Sequence, residues 1–250
     1  MTKHLLLSCF LVFAPSLCFA EKIEITVVGA QFPPYFTNQP PLYGITGEII
    51  QLALKDSDFL PTFKIKPFAR ALSEAKEGKA DIISALYQTK EREKHLIYTD
   101  NLITSDILLY QHSTRNLTYD SLDSLSDQRI GLIRSTSTRL SLSNNPNIRL
   151  FFINHYLQGL EMLRLDRLDF MIGDQLVIEY LLNKHEHKLL SQELKPTYPA
   201  LKQEQTFIAI SKKSPYNKEL LNKFNQELSA LKTSKQLEHL IQKHLTHNQH

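Results

Sequence analysis

The chain has 250 residues, 42% apolar and 22% charged, with a formal net charge of +3. That balance suits one large or two small folded domains, and it excludes wholesale disorder and a charge-driven nucleic-acid binder. Seven glycines, no two of them one residue apart, exclude the G-x-G-x-x-G dinucleotide fingerprint, and two cysteines, Cys9 and Cys18, exclude a four-cysteine zinc site.

Met1 to Ala20 starts basic at Lys3 and His4, runs apolar from Leu5 to Ala14, breaks at Pro15-Ser16 and closes on Cys18-Phe19-Ala20. This is the layout of a secretory signal peptide (residues 1–20) cut after Ala20, and the apolar run is too short for a permanent membrane span. The other readings are an uncleaved anchor or a buried strand. The mature chain, from Glu21, then holds no cysteine. It loses Lys3 and no acid, so its net charge falls to +2.

In chain order, Lys22–Val28 reads as a β-branched strand, and Phe32-Pro33-Pro34-Tyr35 as a loop in which two prolines remove donors and fix φ. Gly47–Lys55 reads as a helix and Thr62–Lys66 as a short strand. Pro67 opens a helix with Phe68, Ala71, Leu72 and Ala75 on one face, and Gly78 stops it. Asp81–Ala85 and Ser105–Tyr110 are strands. A second series alternates strands Arg129–Ile133, Arg149–Ile153 and Asp169–Gly173 with helices 138–142, 156–165 and 175–182. Strand Thr206–Ser211 and helices 217–231 and 234–245 finish the chain. This alternation predicts parallel sheets covered by helices. The polar stretches His112–Gln128 and Ser191–Gln205 suggest a crossing between two α/β lobes and a return crossing. Such lobes form a cleft with strand ends and helix N-termini facing it, and two extended crossings allow closure on a ligand.

The candidate chemistry lies at strand ends. Arg92, after strand Asp81–Ala85, is either a bidentate grip for a carboxylate or a surface arginine paired with Glu91 or Glu93. Ser135-Thr136-Ser137-Thr138, after strand Arg129–Ile133, is an anion site at a helix N-terminus or simply a cap. Asp174 either holds an ammonium group or caps the helix behind it. Phe32, Phe68, Tyr35 and Tyr87 are stacking faces in a cleft or core packing. His185-Glu186-His187 and His244, His247 and His250 lack the H-E-x-x-H spacing and read as solvated surface. No G-x-S-x-G elbow is present, and no cofactor or metal is implied.

The order of these pieces is similar to a known family. Gly78-Lys79-Ala80-Asp81-Ile82-Ile83, then Thr89-Lys90-Glu91-Arg92, then Tyr98-Thr99-Asp100 resembles a G-K-x-D, T-x-x-R, F-[ST]-x pattern. Leu122-Asp123-Ser124-Leu125 before Arg129-Ile130-Gly131-Leu132, and Arg167-Leu168-Asp169 with Asp174, continue it. The mature chain thus resembles bacterial extracellular solute-binding proteins of family 3, the periplasmic amino-acid-binding components of ABC transporters. The resemblance implies a two-lobed, type II periplasmic-binding-protein α/β fold. Lobe 1 would be residues 21–110 plus 206–250 and lobe 2 residues 111–205, hinged near 110–112 and 203–206. It implies a periplasmic monomer that captures an amino acid or similar zwitterion or carboxylate, without catalysis or cofactor, and presents it to an inner-membrane permease. In that scheme Arg92 binds the carboxylate with Thr136 and Ser137, and Asp174 binds the ammonium with Tyr87 and the backbone near Ala85 beside it. Phe32 and Phe68 would sandwich the side chain. The alternatives are an enzyme on the same fold, similar to a cyclohexadienyl dehydratase, or a ligand sensor for a separate signalling protein. The sequence departs from the pattern in three places: Gly47-Glu48-Ile49-Ile50-Gln51-Leu52, which lacks a usual aromatic and a usual acid, Ser135 in place of a glycine, and Tyr87 where a small hydroxyl residue is usual.

Overall fold

The fold is taken from a computed structural model that describes residues 22–134, 142 and 147–246. The signal-peptide reading, Thr136, Ser137 and most of the expected helix 138–142 lie outside the described residues.

Strand β1 (Ile23–Gly29) buries Ile25, Val27 and Val28 and pairs in parallel with β2 (Phe59–Ile65) on one side and β3 (Ile82–Tyr87) on the other. Helix α1 (Gly44–Leu54) starts three residues earlier than expected, at a glycine with φ 81, where a side chain would meet the Pro34 carbonyl oxygen at 2.7 Å. Its buried Ile45, Ile49, Ile50 and Leu54 form the apolar stripe that seats it on the sheet. Helix α2 (Phe68–Glu77) opens after Pro67, buries Ala71 and Ala75, and ends at Gly78 with φ 79, as the sequence predicts. A one-turn helix α3 (Lys90–Glu93) and a short strand β4 (Leu96–Tyr98) follow.

Strand β5 (Ile103–His112) leads to the second series: β6 (Arg129–Ile133), β7 (Arg149–Ile153), α4 (Tyr156–Arg164), β8 (Phe170–Asp174), α5 (Gln175–Leu182) and α6 (Lys188–Glu193). The chain then returns through the long β9 (Leu194–Ser211) and ends in α7 (Asn217–Thr233) and α8 (Gln236–Thr246). Leu220, Phe224, Leu228 and Leu231 of α7 recur every three or four residues and bury against the first half.

The nine strands among the described residues form one sheet in the order β2-β1-β3-β9-β5-β8-β6-β7, with β4 alongside β9. It is mixed and not parallel as expected: β9 runs antiparallel to β3, β4 and β5, and β5 antiparallel to β8. Hydrophobic periodicity identifies a strand but carries no direction for its partner. The two long strands at the centre join a β1–β3 half to a β6–β8 half, each with its own buried apolar clusters. Ser191–Gln205, read as a return crossing, is largely strand. Its polar residues are cross-strand partners, with Gln203 opposite Asp106 and its Nε2 donating to that carboxylate at 2.9 Å. The polar segment after β5 is held by the buried Gln111, whose side chain bonds both the carbonyl and the N–H of Leu117.

Candidate functional site

Asp174 ends β8 and caps α5. Its Oδ1 accepts from the Leu176 N–H at 3.0 Å and the Val177 N–H at 3.3 Å, which satisfies two donors that a helix start leaves open. Both of its sequence readings therefore rest on one residue, and the capping role is the one its own helix shows. The carboxylate is only 1% exposed. Three further donors converge on it from outside its own half of the sheet. Ser105 Oγ, on β5, donates to Oδ1 at 2.9 Å. Tyr35 OH reaches both oxygens, at 3.2 and 3.1 Å, and Tyr87 OH, at the end of β3, donates to Oδ2 at 3.2 Å.

Every one of these partners is neutral. Burial pushes the Asp174 carboxyl above its ordinary range, against the hydrogen bonds from Ser105, Val177, Tyr35 and Tyr87 that favour the anion. Burial, and then the Asp174 charge, raises the Tyr35 and Tyr87 hydroxyls, so both stay protonated and donate. Tyr156, at the start of α4, is raised by the same two causes.

Arg92 sits in α3, whose N-cap Thr89 accepts from the Arg92 N–H at 3.3 Å. The surface-pair reading does not hold, because each acidic neighbour has another partner. Glu91 pairs with Lys76 at 2.8 Å, and Glu93 accepts from Gln88 at 2.8 Å. The Arg92 guanidinium lies 4.9 Å from the Phe68 ring centroid, and one of its five N–H groups reaches the Tyr87 carbonyl at 2.6 Å. Among the described residues no carboxylate pairs with it. Tyr87 therefore links the two charged groups, accepting from Arg92 through its carbonyl and donating to Asp174 through its hydroxyl.

The aromatic residues assemble around this link. Phe32 stacks on Tyr35 with centroids 5.0 Å apart and meets Tyr87 edge-on at 6.3 Å. Phe68 lies under Arg92 instead, so the two phenylalanines stand on different partners. Ala85 occupies a bulge in β3, where the register against β9 shifts between Ile83 and Leu86, and it takes the left-handed φ of 55. A cavity of about 510 Å³ opens beside α3, lined by Gln88, Thr89, Lys90 and Glu93 and by Gln203, Glu204, Gln205 and Phe207 of β9.

Of the sequence-predicted residues, the structure brings Arg92, Phe68, Tyr87, Asp174 and Phe32 into one connected group, with Ala85 in the bulge of β3. Ser105 and Tyr156 were missed. Ser105 opens the expected strand 105–110 and Tyr156 opens the expected helix, but nothing in their local pattern marks either as facing an acid. Tyr35 gave only a weak aromatic signal. Of the discounted histidines, His187 Nδ1 meets the Leu181 carbonyl and His244 meets Glu48. No helix among the described residues is long and apolar enough to cross a membrane.

A sequence model of the bacterial extracellular solute-binding proteins, family 3, matches residues 25–247. No curated protein matches the chain by sequence. Solved structures are similar in fold. One is an amino acid ABC transporter substrate-binding protein from Streptococcus pneumoniae bound to L-arginine (TM-score 0.75, 18% identity, covering 91% of this chain and 96% of that one). Another is the GluR0 ligand-binding core with L-glutamate (TM-score 0.74, 18% identity, covering 91% and 99%). A third is a histidine kinase sensor domain with similarity to periplasmic binding proteins (TM-score 0.73, 16% identity, covering 89% and 96%).

Proposed function

The chain belongs to the bacterial extracellular solute-binding proteins of family 3, and on that premise we propose that it captures an amino acid or closely related zwitterion between the two halves of its sheet. The observation that carries this reading is a pair of unmatched opposite charges joined through one residue. Among the described residues Arg92 has no carboxylate and Asp174 has no cation, and Tyr87 bonds both. A zwitterion supplies the missing partner to each, and each buried charge then meets its opposite. Arg92 takes the carboxylate, with Thr136 and Ser137 assisting. Asp174 takes the ammonium beside Tyr87 and the Ala85 backbone. Phe32 and Phe68 offer faces to the side chain.

The lobes in this reading are residues 21–110 with 206–250, and 111–205. The hinge crossings are near 110–112 in β5 and 203–206 in β9. The protein acts as a periplasmic, non-catalytic monomer, exported through its first twenty residues, and delivers its ligand to an inner-membrane permease. Micromolar affinity, about −8 kcal/mol, permits both capture and release. The likeness to a kinase sensor domain supports a second reading, in which the closed form signals and does not deliver. A pull-down of inner-membrane proteins with the ligand-loaded form separates the two, by recovery of a permease or of a kinase.

The binding test is calorimetry with the common amino acids. Arg92→Ala is expected to weaken the best ligand by about 2–4 kcal/mol, since it strands a buried carboxylate. Unchanged affinity removes Arg92 from the site.

A further inference from the structure

The acceptor capacity of Asp174 is already full. An ionised carboxylate offers about four lone-pair positions. Oδ1 is committed to Ser105 and to the two N–H groups of its own helix, and these contacts belong to the fold. Oδ2 meets only the hydroxyls of Tyr35 and Tyr87. An incoming ammonium, which needs an acceptor of its own, must therefore enter at Oδ2 and displace a phenol.

The two phenols are not equivalent. Tyr35 is fully buried, spans both carboxylate oxygens and is stacked under Phe32. Tyr87 is less buried, makes a single 3.2 Å contact with the carboxylate, and meets Phe32 only edge-on. It also stands at the last residue of β3, beside the bulge at Ala85. Moving Tyr87 aside breaks the fewest contacts.

We propose that Tyr87 is the residue that sets this site's affinity for an ammonium group, because its hydroxyl occupies the Oδ2 position of Asp174 that the ligand's ammonium must take. The inference rests on the capture reading above. Tyr87 acts as an internal competitor: its hydroxyl satisfies Asp174 while no ligand is bound, and a ligand binds only as tightly as its ammonium outcompetes that hydroxyl. A ligand without the ammonium leaves the Tyr87–Asp174 contact in place and escapes the competition. Selectivity between amino acids and their 2-hydroxy analogues is thus compressed by Tyr87.

Calorimetry on matched pairs tests this: alanine and lactate, phenylalanine and phenyllactate, glutamate and 2-hydroxyglutarate, arginine and its 2-hydroxy analogue. For whichever pair binds, the ratio of amino-acid to hydroxy-acid affinity is expected to rise at least tenfold in Tyr87→Phe, which keeps the ring and removes the competitor. Tyr87→Ser, which also removes the ring, is expected to raise the same ratio. A ratio that stays constant or falls in both variants overturns the role of Tyr87 and leaves the capture reading standing. If the wild-type protein and both variants bind no member of any pair, the capture reading fails and the inference falls with it.

Discussion

Strand β8 carries an aspartate at each end, and the two are held in opposite ways. Asp169, just before the strand, is closed by permanent cations. Arg129 reaches it through its backbone N–H at 2.7 Å and through its guanidinium at 3.0 and 2.9 Å, and Arg115 adds a contact at 2.5 Å. Those bonds, against a smaller opposing effect of burial, hold the Asp169 carboxyl well below the ordinary range. Asp174, the last residue of the strand, is held by five neutral donors and is pushed the other way by burial. A carboxylate closed by two arginines has no charge left to offer a ligand, and its role is to fasten the segment after β5 to β6 and β8. A buried carboxylate held only by dipoles keeps an unmatched charge, and that is the property a binding site needs.

The comparison breaks first on stability. Asp169→Ala removes a carboxylate that is only 11% exposed, leaves Arg115 and Arg129 with Asp166 alone and unpairs the Arg129 N–H, and it is expected to cost about 3 kcal/mol in denaturant unfolding. A loss below about 1 kcal/mol places Asp169 among ordinary surface pairs. Asp174→Asn keeps a capping oxygen and removes an uncompensated buried charge, so its unfolding free energy should stay within about 1 kcal/mol of wild type. Its amino-acid binding should fall about thirtyfold or more, close to 2 kcal/mol, because the ammonium loses its counter-charge. A variant that unfolds more readily than Asp169→Ala and still binds reverses the assignment of roles.

The pH dependence sharpens the same contrast through its sign. The folded pKa of Asp169 is depressed, so its stabilisation is complete above the ordinary carboxylate value and is lost as pH falls below about 4. The folded pKa of Asp174 is raised, so the native state holds this proton more tightly than the unfolded chain. Its contribution is present in acid and is lost as pH rises through the window from about 4 upward. Thermal melts of ligand-free protein between pH 3 and 7 should therefore show a flatter acid limb in Asp169→Asn. In Asp174→Asn, the stability relative to wild type should improve with rising pH. Parallel curves for the wild type and both variants contradict the opposite environments of the two acids.

Half of this contrast was legible in the sequence. Asp174 stood out because it follows an apolar run and precedes a helix, and Arg92 because it follows a strand end in a recognisable order of motifs. The strands Arg129–Ile133 and Arg149–Ile153 and the helix Gln175–Leu182 were read to the residue, since their burial pattern is local. What could not be read is who meets whom across the sheet. Tyr35 and Ser105 lie 139 and 69 residues from Asp174, and Arg115 lies 54 from Asp169. No periodicity spans such a distance. The antiparallel β5 and β9, which bring these partners together, were also the strands whose direction and length the pattern left open.

The smallest expected effect discriminates most finely between the two ends of β8. Ser105 is buried, and its Oγ donates to Asp174 Oδ1 at 2.9 Å, while the Leu176 and Val177 N–H groups donate to the same oxygen. Removing the hydroxyl in Ser105→Ala leaves that oxygen with the two helix N–H groups and the Tyr35 hydroxyl, so the loss is about 1 kcal/mol in unfolding free energy at pH 7. The missing bond favoured the charged form, so the variant's Asp174 carboxyl moves further up and holds its proton more tightly. The destabilisation must then shrink as pH falls and the native carboxyl takes up its proton, because the hydroxyl then no longer meets an anion. Chemical denaturation at pH 7 and pH 4 measures both values. A cost that is equal at the two pH values means that Ser105 serves packing alone. A cost confined to the higher pH identifies it as a donor that keeps Asp174 charged for the ligand.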